Sequence, residues 1–156
     1  MKFVIYGNPV TKKNSQRLIV RNGRPYIIPS KNYLAYEQMA LRQIMAYGIK
    51  DFPEFDFPIG VPVNVCCVYY MQTRRRVDIC NLHSAIHDIL TKAGVIEDDN
   101  RDIIATTDGS CVLYDKNDPR IEIEISSLGE GYIQWAKKKE LLPFEPDETE
   151  LYEGLQ

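Results

Sequence analysis

The sequence lacks any apolar run near the ~18 residues that a membrane-spanning helix needs, so no membrane-embedded reading fits. Its start, MKFVIYGNPVTKKNS, has no long apolar region after Lys2, which excludes a secretory signal of the usual kind. Glycine and proline number nine each in 156 residues, too few for a collagen-like or disordered chain. Cysteine is scarce: Cys66, Cys67, Cys80 and Cys111 form no C-x-x-C pair. Adjacent Cys66 and Cys67 point to opposite faces if they lie in a strand, so a disulfide framework is not expected, and a reducing cytosol is. Walker, G-x-S-x-G, H-E-x-x-H and dinucleotide fingerprints are all missing.

What remains is a chain with 44% hydrophobic and 26% charged residues, long enough to bury its own core. The net charge of −3 hides an asymmetry. Residues 1–50 carry nine Lys or Arg against one acid, Glu37, whereas residues 128–156 carry seven acids against three Lys. A basic first third beside an acidic tail suits a binder of polyanions, although ordinary solvated charge gives the same count.

Residues 2–7 read as a strand ended by Gly7-Asn8-Pro9, and residues 18–20 and 25–28 flank Asn22-Gly23 as a hairpin. Ser30 is placed to cap a helix running to about Tyr47, with Leu34, Leu41, Ile44 and Met45 on its inner face. Residues 61–71 are mostly β-branched, apolar and aromatic, as in a buried central strand. Residues 80–93 form the clearest helix, striped by Leu82, Ala85, Ile86, Ile89, Leu90 and Ala93 and stopped by Gly94. Segments 102–107 and 110–115 flank Asp108-Gly109, a second hairpin signal, and residues 120–126 alternate Ile with Glu as a half-exposed strand. A short helix over 132–142 and a loosely ordered acidic end follow. The expected architecture is α+β: one mixed sheet carrying two main helices, with a domain over 1–128 and a tail over 129–156.

Two groups of residues carry chemistry. Asp78 stands at the start of the central helix, and Asp98 and Asp99 stand just past its end. Clustered carboxylates suit Mg²⁺ or Mn²⁺, which activate water and stabilise a phosphodiester transition state. The plainer reading makes Asp78 a helix cap and 97–100 a solvated turn. About 14 helical residues separate the acids by roughly 21 Å, so a shared metal needs the chain to fold back or a second subunit to contribute. The basic set is Lys12, Lys13 and Arg17 in the first loop and Arg74, Arg75 and Arg76 before Asp78, suited to a phosphate backbone or simply to solubility. Cys80, His83 and His87 share one face of the central helix, a spacing able to bind zinc but without an evident fourth ligand.

The run RRRVDICNLHSAIHDILTKAGVIEDDNRDI at 74–104 resembles the RusA family of Holliday junction resolvases. The shared pattern is a basic stretch, D-x-D-N-L, a helix containing D-x-L, a Gly and a D-D pair; here these are Asp78, Asn81, Leu82, Asp88, Leu90, Gly94, Asp98 and Asp99. GNPVTKKNSQR and GRPYIIPSKNYLAYE are similar to the family's opening loop and hairpin, so the likeness covers about 2–126. The resemblance implies a cytoplasmic, bacterial or phage-encoded homodimer that resolves four-way DNA junctions by paired symmetric nicks. It implies Asp78, Asp98 and Asp99 as catalytic ligands of Mg²⁺, with Mn²⁺ an alternative, and Asn81 as their orienting neighbour. Lys12, Lys13, Arg17, Arg74, Arg75, Arg76 and Lys92 then contact DNA. Two positions depart from the pattern: Cys80 replaces the second Asp of D-x-D, and Ser84 replaces a Lys one turn further on. A thiol is a poor Mg²⁺ ligand and Ser carries no charge, so a junction-binding protein with weak or no cutting is the alternative.

Overall fold

The computed structural model describes residues 1–12, 17–48 and 52–129, together with Gln134 and Lys138, both helical. The rest of the expected helix over 132–142, and the acidic end after Pro143, lie outside the described residues. Met1–Ser126 forms one compact unit. No helix among the described residues is long and apolar enough to cross a membrane.

Strands β1 (Lys2–Tyr6), β4 (Val63–Met71), β5 (Ile104–Thr106), β6 (Cys111–Tyr114) and β7 (Arg120–Ser127) make a mixed sheet. β1 pairs antiparallel with β7, and β7 neighbours β4. Strands β2 (Arg17–Arg21) and β3 (Arg24–Ile28) form a separate two-stranded hairpin. Asn22 and Gly23, both at positive φ, make its turn, as the Asn-Gly pair predicts. The sheet carries two helices, α1 (Lys31–Ala46) and α2 (Ile79–Lys92).

The period-two pattern of β4 buries Val63, Val65, Cys67 and Tyr69, and that of β7 buries Ile121, Ile123 and Ile125. Against them α2 packs Leu82, Ala85, Ile86, Ile89 and Leu90, the predicted stripe. Cys66 lies on the opposite face of β4 from fully buried Cys67, and all four cysteines are free thiols.

Two expectations fail. Of the expected inner face of α1, Ile44 is buried and Leu41 packs partly against the core, but Leu34 and Met45 are exposed, and Tyr33, Tyr36, Glu37 and Ala40 fill the rest of the buried face. The helical period is intact, but it runs through tyrosines and an acid whose burial hydropathy does not signal. Asp108-Gly109 closes no hairpin. β5 and β6 both pair parallel to β4, at Val63–Asn64 and Val68–Met71, as one edge strand broken in two. The Asn64 side chain explains the break. Its Oδ1 accepts from Thr106 and from the Asp108 N–H, and its Nδ2 donates to the Asp108 carbonyl. The chain jogs across that amide, with Gly109 at φ +87°, and continues in the same direction.

Candidate metal and DNA-binding site

The segment from β4 to α2 delivers three arginines and the first acid. Arg74, Arg75 and Arg76 are exposed, and the Arg74 guanidinium sits 4.3 Å from the centre of the Tyr114 ring, which fixes it against β6. A groove lined by Thr73, Arg74, Arg75, Leu113 and Tyr114 runs beside it.

Asp78 is the N-cap of α2. Its Oδ1 accepts from the Cys80 N–H at 2.9 Å, and its Oδ2 accepts from Asn81 Nδ2 at 3.2 Å. Capping and metal binding do not exclude each other, because an exposed carboxylate offers about four lone-pair sites. Asn81 thus orients one oxygen of Asp78.

At the other end, Gly94 at φ +69° turns the chain out of α2. In the loop beyond, Asp98 is held by its neighbours: Oδ1 accepts from the Asp99 N–H and Oδ2 from Asn100 Nδ2. The Asp99 carboxyl is pushed above its ordinary value, first by partial desolvation, then by the negative charges of Asp88 and Asp98. Asp88 projects from α2 and bonds Lys12 Nζ at 2.5 Å. The fold therefore sets Asp88 and Asp98 near Asp99, and Lys12 against Asp88. Among the described residues no contact joins Asp78 to this group.

Crowded carboxylates that repel one another, with no side-chain cation bonded to Asp99 among the described residues, are the donor set a hard divalent cation relieves. Carboxylate oxygens are the donors that a metal of the Mg²⁺ class takes, but no three of these acids bring their ligand atoms together among the described residues. Asp88 belongs to the D-x-L element of the pattern, but its pairing with Lys12 carries no signal in the sequence, since the partners lie 76 positions apart.

The basic residues divide. Lys12 faces the acids, and Arg17 is exposed at the start of β2. Lys13 lies outside the described residues. Lys92 bonds Glu37 at 2.5 Å, and the Glu37 side chain is only 10% exposed, so this lysine clamps α2 to α1. Lys92 was expected to contact DNA; its ion pair ties it to the buried acid of α1 and leaves about half of its side chain, 51%, exposed. Cys80 is exposed and stands apart from His83 and His87, which meet Cys67 of β4. A strand residue thus replaces the helix residue of the expected trio, a convergence that helical spacing alone does not show.

The family model described as endodeoxyribonuclease RusA matches residues 7–126. No curated protein matches the chain.

Proposed function

The chain belongs to the RusA family of endodeoxyribonucleases, and on that premise we propose a homodimeric, divalent-metal-dependent enzyme that resolves four-way DNA junctions by paired symmetric nicks. The structural observation that carries the reading is the charge-crowded group of Asp88, Asp98 and Asp99 beside Lys12.

Asp78, Asp98 and Asp99 are the metal-holding carboxylates. When bound, a hard divalent cation lowers the pKa of water and offsets charge at phosphorus. Asn81 holds Asp78 in position. Asp98, tied down by Asn100 and its own loop, keeps Asp99 in a fixed turn. Lys12, anchored on Asp88, supplies the positive charge that Ser84 does not. Arg74, Arg75 and Arg76, with Arg17 and Lys13, hold phosphates and set register without reading bases.

Two subunits answer the separation of Asp78 from the other acids, since a second copy brings its own pair of helix ends. The β2–β3 hairpin supports association: Leu18, Val20 and Ile27 are each about 70% exposed, an apolar strip on a two-stranded ribbon that needs a partner.

The assigned roles are tested with Asp78→Asn and Asp99→Asn. Both variants should lose cutting while binding junctions nearly as well as the parent. Loss of junction binding in both would overturn the assignment.

A further inference from the structure

Cys67, His83 and His87 offer one ligand atom each, and these atoms lie within 4.8 Å of one another. Cys67 comes from the core face of β4, and the two histidines are one turn apart on α2. Residues at i and i+4 on a helix share a face, and a histidine pair at that spacing chelates one ion. The rings lie 5.3 Å apart at 24°, already side by side.

The trio is not an ordinary piece of core. His87 is 9% exposed, and its Nε2 has no hydrogen-bond partner. An unpaired buried ring nitrogen costs about 1–3 kcal/mol unless something takes its lone pair or proton. His83 Nδ1 pairs with the Tyr69 hydroxyl at 2.9 Å. With the proton on Nδ1, that hydroxyl accepts and the Nε2 lone pair is free, the arrangement that orients metal-ligating histidines.

We propose that Cys67, His83 and His87 form a binding site for a borderline-soft transition ion of the Zn²⁺ class, separate from the acidic group and pinning α2 to β4. One sulfur and two imidazole nitrogens match Zn²⁺ and discriminate against Mg²⁺. The fourth position is filled by water. Binding converts the Cys67 thiol to thiolate and releases one proton to solvent. The ion would fix the helix whose first turn presents Asp78.

The test uses full-length protein, stripped with chelator and titrated with Co²⁺ as a spectroscopic probe. One equivalent should give a thiolate-to-cobalt charge-transfer band in the near ultraviolet, displaced by one equivalent of Zn²⁺. Cys67→Ala and His87→Gln should abolish the band, and Tyr69→Phe should weaken binding about tenfold or more. Asp99→Asn should leave the band unchanged, which separates this site from the acidic one and from nuclease activity. Zn²⁺ at 100 times its dissociation constant should raise the Tm by roughly 8 °C. Wild-type protein without the charge-transfer band, or a band that survives Cys67→Ala, would overturn the proposal. The wild-type spectrum decides even if a variant fails to fold.

Discussion

The single residues of this chain that matter most are those held in costly states. Asp99 keeps its proton to a higher pH than an ordinary carboxyl, because of partial desolvation and the charges of Asp88 and Asp98. Between the unfolded and folded values the folded state holds the extra proton, so stability falls as pH rises through that interval and stays lower above it. Asp99→Asn should therefore raise the Tm at pH 7 and change it little below the carboxylate range, while abolishing cutting. An unchanged or lower Tm at pH 7 would contradict the crowding. His87 behaves in the opposite sense. In metal-free protein, burial and then the neighbouring His83 push it down to about 4 from 6.5. From pH 6.5 down to about 4 the unfolded chain takes the proton and the folded one resists it, so stability drains away over that window. The effect is of order 3 kcal/mol. Denaturant midpoints measured in chelator should show it, and His87→Gln should flatten it.

At the scale of elements, α2 does most of the work. Its cap, its stripe and its stop were all legible in the sequence: Asp78 before the apolar period, Leu82 to Leu90 along it, and Gly94 after it. Its polar face was not. Whether Lys92, Asp88 and His87 face solvent, a partner helix or a strand depends on residues 20 to 76 positions away, and local periodicity says nothing about them. The hidden face of α1 and the broken edge strand escaped for related reasons. Tyr33 and Glu37 are buried by their neighbours, and the jog between β5 and β6 is dictated by the side chain of Asn64. Lys92→Ala should strand Glu37, 10% exposed, and cost about 1–3 kcal/mol, with Glu37→Gln on that background restoring part of it. The salt dependence of DNA binding should not change in Lys92→Ala. Each of Arg75→Ala and Arg76→Ala should instead lower the slope of log K against log salt by about 1. Asp78→Asn keeps the cap, because Asn serves there as well as Asp, whereas Asp78→Ala should cost about 1 kcal/mol.

At the scale of the whole molecule, a net charge of −3 would not suggest a DNA-binding protein. The basic residues are segregated instead: Lys12 stands by the acids and the arginine loop flanks Asp78. On the proposed dimer, the exposed apolar hairpin is the surface that a second copy would cover. Sedimentation should show a dimer, and Val20→Asp with Ile27→Asp should give a folded monomer that no longer makes paired nicks. The most direct measurement is cleavage of a synthetic four-way junction beside linear duplex of the same sequence, in Mg²⁺, Mn²⁺ or chelator. Paired symmetric nicks on the junction alone, and only with metal, are the expected result. A junction that is bound yet left whole under every metal would contradict the assignment of Asp78, Asp98 and Asp99 as a working nuclease site.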